Sequence, residues 1–296
     1  AKLSGKVPSV AVVVGASAGH SSVGGLLMDF VVMLKDAVMF AAGPPLVEAA
    51  MGEVVSKEDL GGAVLHTQIS GVAHNVVADE EAAAALVRDY LGYYQTRRVE
   101  GAEAGPQDEL FHLIPVNLRK PYDIVPVIEQ LLDRDSFLQI QPDYGKTMVT
   151  GLARLDGHSV AIVANQPAVL AGATDAKGAD KAADFITRVS RLGLPVLFLA
   201  DTPGVMSGSA AERAGTLRST ARMYQAQADM TSSKLHVTLR KSFGFGGFIM
   251  AMNPFAGQTA TFGLPGVSLG RLPAQGGARA ANLDDEAAKR IHETQT

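Results

Sequence analysis

The middle of the chain, residues 137–206, alternates short apolar runs with one amphipathic run. Residues 160–164 and 196–200 are almost wholly apolar, which predicts two buried parallel strands. Between them, residues 179–192 place apolar side chains at helical spacing and charged side chains on the opposite face, which predicts an amphipathic helix. Gly193 after this helix is a typical stop signal. The pattern predicts a strand–helix–strand unit, and therefore an α/β fold.

Other parts of the chain show simpler patterns. Residues 10–14 predict a strand, and the apolar run 26–34 predicts either a buried helix or a buried strand. Residues 79–95 predict a helix that Asp79 can cap, because its carboxylate can accept hydrogen bonds from the first backbone amides. Residues 99–107 are small, polar and contain Gly and Pro, so they predict a linker.

A repeat connects two distant parts of the sequence. Aligning Gly19 with Gly244 pairs Ser17 with Ser242 at the same offset of 225 residues. Both copies predict a strand, then a Ser-x-Gly turn, then the start of a Gly-rich helix. The repeat therefore predicts two similar halves.

The two halves predict a division into domains, at residues 1–110 and 111–296, with the boundary between Val99 and Lys120. The second copy of the repeat follows a complete strand–helix–strand unit, whereas only a few residues precede the first copy. We therefore expect an incomplete first domain, as in a truncated form of a protein or one half of a split subunit.

Composition excludes several classes of protein. The 296 residues carry a net charge of -4, which does not favour binding to nucleic acid or to an anionic membrane. No apolar run approaches about 18 residues and no signal peptide is evident, so a cytoplasmic protein without a membrane span is expected. Cysteine is absent, which removes thiolate nucleophiles and Cys-ligated zinc. The histidines show no paired spacing, so no metal site is predicted, and His66 and His74 are expected in a polar loop.

One motif indicates a serine hydrolase. Residues 15–19, GASAG, match the G-x-S-x-G nucleophile elbow between a predicted strand and a predicted helix, with Ser17 as the nucleophile. A hydrolase also needs an acid and a histidine. Asp201 could be the acid, but His236 lies inside a predicted strand and His292 lies in a polar tail. A tight turn that requires small residues explains the motif equally well, and both interpretations stay open.

Several longer motifs occur together in a fixed order. They are LSGKVPSVAVVVGASAG, LGGAVLHTQISGVAH, LDGHSVAIVANQP, GLPVLFLADTPG and RKSFGFGG. Together they resemble the carboxyltransferase (beta) subunits of biotin-dependent acyl-CoA carboxylases of the propionyl-/acetyl-CoA type, over residues 3–277. The resemblance implies a crotonase-like (ClpP/crotonase) fold, a ββα superhelix in two similar domains. It also implies transfer of a carboxyl group from carboxybiotin to the α carbon of a short-chain acyl-CoA.

The resemblance further implies where the chemistry occurs. In this family, backbone N–H groups at helix starts stabilise two oxyanions, one on biotin and one on the acyl-CoA. Two family glycines are replaced here, by His20 and Phe245, so a catalytically impaired or non-catalytic homologue is an alternative. Carried over by motif, the expected catalytic residues are Gly19, His20, Phe245 and Gly246, and the expected cofactor-binding residues are Gly19, His20 and Gly244.

The expected partners follow from the same resemblance. The sequence shows neither a biotinyl-lysine motif nor an ATP-binding carboxylase domain, so biotin is expected on a separate carrier protein. A biotin carboxylase, a biotin carrier subunit and an acyl-CoA substrate are implied, together with a homo-oligomer, which is a hexamer in the family.

Overall fold

The computed structural model describes residues 3–95, 98–100, 103–105, 107–253 and 257–273, together with residues 284, 286, 290 and 293. His292 lies outside the described residues. The chain divides into two compact units. Unit 1 comprises Ala1–Arg97 and Leu138–Tyr144, and unit 2 comprises Arg98–Phe137 and Gly145–Thr296. The domain limits expected from the sequence stay a prediction.

Unit 1 is built from short strands and helices. Its strands are β1 (Val10–Val13), β2 (Ala16–Ala18), β3 (Phe30–Leu34), β4 (Val38–Phe40), β5 (Asn75–Val77) and β6 (Leu138–Ile140). Its helices are α1 (His20–Leu26), α2 (Pro44–Met51), α3 (Lys57–Gly61) and α4 (Glu80–Gln95), with a π-helical turn at Leu65–Ile69.

Parallel strands form the core of unit 1. β1, β3 and β5 pair in that order, with Val10 beside Phe30 and Val32 beside Asn75, and β2 pairs with β4. All five residues of β3 are buried, so the apolar run 26–34 contains a strand that begins only at Phe30. Asp29 precedes it and accepts hydrogen bonds from the Ser9 backbone N–H (2.9 Å) and the Ser9 hydroxyl (2.6 Å).

Two histidines of unit 1 correct the sequence prediction. His66 lies in the π-helical turn and is buried, with its ring nitrogens 2.9 Å from the Ser70 hydroxyl and 2.5 Å from the Met39 carbonyl oxygen. His74 is also buried, and its Nδ1 accepts a hydrogen bond from the Val31 N–H at 2.8 Å. The prediction of a polar loop was wrong because both rings find backbone partners in the core.

Unit 2 contains the longer strands. They are β7 (Met148–Leu155), β8 (His158–Asn165), β9 (Val196–Thr202), β10 (Lys234–Phe243), β11 (Gln258–Gly263) and β12 (Ser268–Gly270). The helices are α5 (Leu110–Leu113), α6 (Val125–Leu131), α7 (Ala176–Arg191), α8 (Ser209–Arg213), α9 (Thr216–Ala228) and α10 (Gly244–Ile249), with 3₁₀ turns at Gln107–Glu109 and Leu170–Gly172.

The sheet of unit 2 has the order β11-β10-β9-β8-β7, with β12 beside the end of β10. β7 and β8 form an antiparallel hairpin whose turn residues, Asp156 and Gly157, both have positive φ, as a two-residue hairpin turn prefers. β8, β9, β10 and β11 are parallel. The predicted strand–helix–strand unit is therefore confirmed as β8, α7 and β9, and the α/β fold with it.

The segment predicted to be a linker belongs to unit 2, and its described residues contact the rest of that unit. The Val99 N–H donates to the Gly157 carbonyl at 3.0 Å, and Arg98 forms an ion pair with Asp156 at 3.0 Å. Ala104 forms an isolated β-bridge with Asp133. The described residues of this segment are therefore held by backbone hydrogen bonds, and its role as a linker between domains stays a prediction.

The sequence repeat corresponds to a structural repeat. In unit 1, β1 pairs in parallel with β3, and β2 pairs in parallel with β4. In unit 2, the first half of β10 pairs in parallel with β11, and its last residues pair in parallel with β12. A glycine with positive φ follows in both units, at Gly19 and Gly244, and starts a helix. The two segments share one local topology.

Candidate active site

The first predicted site lies at the turn from β2 into α1. Gly19 has φ 61° and ψ -127°, a conformation that only glycine adopts without strain. Its N–H donates to the Phe40 carbonyl oxygen at 3.1 Å, so this amide already has a partner. The role of Gly19 as a donor to an oxyanion stays a prediction, and in the structure the residue sets the direction of the chain.

His20 is the first residue of α1 and is exposed. The first amides of a helix have no intrahelical acceptor, so the His20 N–H points out of the helix start. The φ angle of His20 is not positive, so an imidazole replaces the family glycine without backbone strain.

The Ser17 hydroxyl has other hydroxyls as its neighbours. Its Oγ lies 3.0 Å from Ser22 Oγ and 3.4 Å from Ser21 Oγ, and the Ser21 hydroxyl donates to the Ala18 carbonyl. A hydroxyl cluster cannot remove the proton of a serine nucleophile, because none of its members is a base at neutral pH. These surroundings do not form a nucleophile elbow. The turn expected at GASAG lies later than predicted, because Ala16–Ala18 form strand β2 and the chain changes direction at Gly19.

Asp201 and His236, the acid and the histidine considered for a hydrolase, both lie in unit 2 and contact other residues there. The Asp201 carboxylate contacts two cationic side chains, as described below. His236 is buried in β10, where its ring nitrogens lie 2.7 Å from the Met250 carbonyl oxygen and 2.8 Å from the Thr238 hydroxyl. Burial lowers the pKa of His236, and the contact with the Met250 carbonyl opposes that shift only in part. Neither residue is arranged as part of a catalytic triad.

The second predicted site lies at the turn from β10 into α10. Gly244 has φ 54°, and a Cβ at this residue would lie 2.7 Å from the Arg271 carbonyl oxygen. Gly246 and Gly247 are buried, although they belong to the first turn of a helix. The sequence places glycine here because both the torsion angle and the close approach of backbone exclude a larger residue.

Phe245 replaces a family glycine, and the structure shows how it fits. Its side chain is 41% exposed, and its ring centroid lies 5.8 Å from that of Tyr224 and 6.3 Å from that of Phe248. Its φ is not positive, so the backbone carries no strain from the replacement. The ring packs toward α9 and leaves the backbone of the turn in place.

The DTPG sequence, residues 201–204, ends β9 at Thr202, and its Gly204 packs directly against this turn. A Cβ at Gly246 would lie 2.7 Å from Gly204 Cα and 2.9 Å from the Gly204 carbonyl carbon. Gly204 itself has φ 132°, and its carbonyl accepts hydrogen bonds from the Thr174 N–H and the Thr202 hydroxyl. The loop thus fixes the position of Gly246 through backbone-to-backbone contact.

A buried ionic cluster, formed by Asp201, Arg240, Lys241 and Tyr122, lies beside the same strand ends. Arg240 Nε donates to Asp201 Oδ2 at 2.6 Å, and the Tyr122 hydroxyl donates to the same oxygen at 2.9 Å. Lys241 Nζ lies 2.9 Å from Oδ1, as an ion pair without good hydrogen-bond geometry. All three charged residues are buried. Burial and the Asp201 carboxylate raise the pKa of Tyr122, so its hydroxyl stays protonated and donates.

The cluster also holds the loop before α6. Arg240 Nη1 donates to the carbonyls of Pro115, Asn117 and Lys120, at 3.2, 2.9 and 3.0 Å, and its guanidinium lies 4.5 Å above the Tyr122 ring. Sequence reasoning missed this arrangement. The available signal was two adjacent cations inside a strand, which need a buried anion to compensate their charge.

The structure therefore groups the predicted site residues into two sets. Gly19 and His20 are adjacent in unit 1, and Gly244, Phe245 and Gly246 are adjacent in unit 2. Within the part of the chain that the structure describes, no cluster of three His, Cys, Asp or Glu side chains is placed to hold a metal ion. No helix among the described residues has the length and apolar character that crossing a membrane requires.

Comparison with known proteins gives a consistent result. A family described as the carboxyl transferase domain matches residues 1–295. The methylmalonyl-CoA carboxyltransferase 12S subunit of Propionibacterium freudenreichii subsp. shermanii is 35% identical over 94% of this chain and 54% of its own length. The mitochondrial propionyl-CoA carboxylase beta chain of Homo sapiens is 33% identical over 86% of this chain and 49% of its own length. The chain thus spans about half the length of these relatives.

The structural comparison agrees with the sequence comparison. A crystal structure of transcarboxylase 12S, described as a hexamer with hydrolysed methylmalonyl-coenzyme A bound, matches with a TM-score of 0.91 and 34% identity. The match covers 99% of this chain and 60% of that one. It confirms the expected carboxyltransferase fold of the crotonase-like class.

Proposed function

Because this chain belongs to the carboxyl transferase domain family, we propose that it transfers a carboxyl group from carboxybiotin to the α carbon of a short-chain acyl-CoA. One observation carries the proposal. Both units contain a strand, a positive-φ glycine and a helix start, at Gly19 and at Gly244. The resemblance to the family implies the two oxyanion sites at these same positions. The expected chemistry needs two such sites and no catalytic side chain.

The turn of unit 2 supports the acyl-CoA side of this proposal. Carboxylation at the α carbon proceeds through an enolate of the thioester, whose oxygen carries developing negative charge. The N–H groups of Phe245 and Gly246 belong to the first turn of α10, where amides lack intrahelical acceptors. Fixed donors of this kind stabilise a developing oxyanion because they need no reorganisation during the reaction. Gly204 holds Gly246 in position through backbone contact.

The turn of unit 1 supports the biotin side. Biotin supplies a carrier for the activated carboxyl group, and its ring carries an oxygen that a backbone donor can hold. The His20 N–H at the start of α1 is the donor that we assign, since the Gly19 N–H already bonds to Phe40.

The substrate class follows from the relatives. Their names refer to methylmalonyl-CoA and propionyl-CoA, and we extend that class of short acyl-CoA to this chain. Phe248 falls where the family places a residue that affects acyl size. It lies on α10 in contact with Phe245, so an aromatic pair borders the proposed acyl site.

The proposal includes partners and location. A biotin carboxylase and a biotin carrier subunit would supply carboxybiotin, because the relatives are named as carboxylase and carboxyltransferase subunits. We further propose a homo-oligomer in the cytoplasm, since the matching transcarboxylase 12S structure is described as a hexamer.

The test is the reverse half-reaction. Methylmalonyl-CoA is incubated with the chain and free biotin, and loss of the carboxyl group is measured with and without biotin. Biotin-dependent decarboxylation is expected. Ester hydrolysis that does not depend on biotin would instead favour a hydrolase, and no reaction at all would indicate a non-catalytic member of the family.

A further inference from the structure

Three side chains donate hydrogen bonds to backbone carbonyls at the C-terminal end of α10. The acceptors are the carbonyls of Phe248, Met250 and Ala251. The donors come from α9, β10 and β11, and we call them the α10 clamp: Gln227, His236 and Gln258, in that order. The last carbonyls of a helix lack intrahelical donors, so these side chains take the place that water has at an exposed helix end.

His236 is held through both of its ring nitrogens. Its side chain is fully buried, with Nδ1 2.7 Å from the Met250 carbonyl oxygen and Nε2 2.8 Å from the Thr238 hydroxyl. A carbonyl oxygen only accepts, so Nδ1 carries the proton and Nε2 accepts from Thr238. Burial lowers the pKa of His236, which favours this neutral ring. The two partners fix the orientation of the ring, and with it the direction in which Nδ1 donates.

The residue that follows this contact has a strained backbone. Ala251 has φ 57°, in the left-handed region that a residue with a Cβ rarely adopts. Its N–H donates to the Phe248 carbonyl at 3.2 Å, and its own carbonyl accepts from Gln258 at 3.1 Å. Torsion angles of this kind persist where the surrounding structure holds them in place. The α10 clamp therefore keeps the end of the helix in one conformation.

The other end of α10 carries the proposed oxyanion donors. The helix comprises six residues, so it is about 9 Å long, and Met250 follows it directly. Phe245 and Gly246 lie in its first turn. Because backbone hydrogen bonds join one turn to the next, a helix of fewer than about two turns moves as one body. A shift at Met250 therefore reaches the N–H groups of Phe245 and Gly246.

Unit 1 has an alanine at the position equivalent to His236. By the offset of 225 residues, Ala11 corresponds to His236 and Gly25 corresponds to Met250. The contact is present in unit 1 as well, because a Cβ at Gly25 would lie 3.7 Å from the Ala11 Cβ. An alanine side chain cannot donate a hydrogen bond. The histidine contact therefore belongs to the turn of unit 2, which is the turn assigned to the acyl-CoA.

We propose that His236 is a positioning residue for the reaction at the acyl-CoA: its hydrogen bond to the Met250 carbonyl fixes the N–H groups of Phe245 and Gly246 where they stabilise the enolate. This inference rests on the proposed function. Donors to an oxyanion act best when they are in place before the charge develops, so a small displacement weakens them. Loss of the hydrogen bond should therefore lower kcat and leave KM unchanged.

Two variants of similar shape isolate this hydrogen bond. His236→Asn keeps an N–H as many bonds from Cα as Nδ1 of histidine, whereas His236→Leu has no donor. In the biotin-dependent decarboxylation of methylmalonyl-CoA, we expect His236→Leu to lower kcat about tenfold, which is less than the loss of an oxyanion donor itself causes. His236→Asn should stay within about twofold of the parent. Thr220→Val is the control, because it removes a buried hydrogen bond to the Thr216 carbonyl within α9 and leaves the α10 clamp in place. Its kcat should match that of the parent.

A second measurement does not depend on catalysis, so a failure of this inference is distinguishable from a failure of the proposed function. The amide NMR signals of Phe245 and Gly246 are recorded in the parent and in each variant. They should shift in His236→Leu and match the parent in His236→Asn. Gln227→Met removes the donor to Phe248 and should shift them in the same way, which keeps the test decisive if His236→Leu does not fold.

Three results would overturn the inference. The first is a folded His236→Leu with the kcat of the parent, and the second is an equal loss of kcat in His236→Leu and His236→Asn. The third is amide signals of Phe245 and Gly246 that stay unchanged when a donor of the α10 clamp is removed. If the parent itself shows no biotin-dependent turnover, the proposed function fails, and the NMR signals alone decide whether His236 fixes these amides.

Discussion

The two strand–glycine–helix segments, one in each unit, share a local topology but pack against different residues. Gly19 and Gly244 both adopt positive φ, and the strands before them pair in parallel with equivalent neighbours. Yet α10 has buried glycines in its first turn, whereas α1 has exposed apolar side chains. The comparison shows that the glycine in each segment allows the turn. The elements packed against the turn determine whether the helix that follows is buried or exposed.

The largest expected effect is the loss of stability when the ionic cluster of unit 2 is broken, because unit 1 has no such cluster among its described residues near Gly19. Asp201→Asn removes the anion of the ionic cluster in unit 2 and leaves Arg240 and Lys241 buried without a counter-charge. Breaking a buried ion pair in this way costs about 3–5 kcal/mol. Urea unfolding followed by hydrogen exchange in each unit measures the loss.

The matched control is Asp29→Asn in unit 1. Asp29 is buried, and in the described contacts it accepts hydrogen bonds from neutral groups of Ser9. Its replacement is expected to cost about 1–3 kcal/mol, since a carboxylate acceptor is lost without stranding a cation. Equal costs for the two variants would contradict the view that a charged cluster supports only the turn of unit 2.

The next effect concerns catalysis. Gly246→Val would drive a side chain into the backbone of Gly204, because even a Cβ would lie 2.7 Å from Gly204 Cα. Displacing an oxyanion donor lowers kcat by about 10²–10³. Biotin-dependent decarboxylation of methylmalonyl-CoA measures it. Gly92→Val in α4 is the control, since a Cβ there meets no described atom within 4 Å, and its activity should match the parent.

A third pair of variants compares the glycines themselves. Gly19→Ala and Gly244→Ala each force a side chain into a positive-φ conformation, at about 1–2 kcal/mol. Gly244→Ala should cost more, because its Cβ would also lie 2.7 Å from the Arg271 carbonyl oxygen, whereas the nearest atom to a Cβ at Gly19 is 3.7 Å away. Thermal unfolding of both variants gives the order, and a larger loss in Gly19→Ala would be inconsistent with the described packing.

The smallest expected effect is a pH dependence of the free energy of unfolding, which arises from a buried histidine of unit 2. β10 carries His236 where β1 carries Ala11. Burial lowers the pKa of His236 below its ordinary value of 6.5. Between these two pKa values the unfolded chain binds a proton that the folded chain does not, so the free energy of unfolding falls as pH decreases below about 6.5. The slope is at most about 1.4 kcal/mol per pH unit. In His236→Gln this contribution should disappear, and an unchanged slope would assign the effect to other groups.

Features that depend on residues close together in the sequence could be predicted from it. Apolar runs and their stop signals predicted β8, α7 and β9, and the Asp79 cap of α4 is present, with the Ala82 N–H 2.9 Å from its carboxylate. The repeat of Gly19 and Gly244 also predicted the shared turn. These features follow from periodicity and from glycine torsions.

Features that depend on distant contacts could not be predicted. The ionic cluster joins Asp201 and Arg240 to Tyr122 and to carbonyls near residue 118, which lie far away in the sequence. His66 looked like a loop residue because its partner, the Met39 carbonyl, is set by packing. The occupied N–H of Gly19 depends on the pairing of β2 with β4, which the sequence does not specify.

The most direct test of the account is the effect of Ser17→Ala on the biotin-dependent decarboxylation of methylmalonyl-CoA by this chain. Ser17 lies in β2, before the turn at Gly19, and the chemistry is assigned to backbone donors, so activity within about twofold of the parent is predicted. Loss of activity in Ser17→Ala, together with ester hydrolysis by the parent, would contradict it and favour a serine nucleophile. Absence of biotin-dependent turnover in both the parent and Ser17→Ala would contradict the assignment of carboxyl transfer itself.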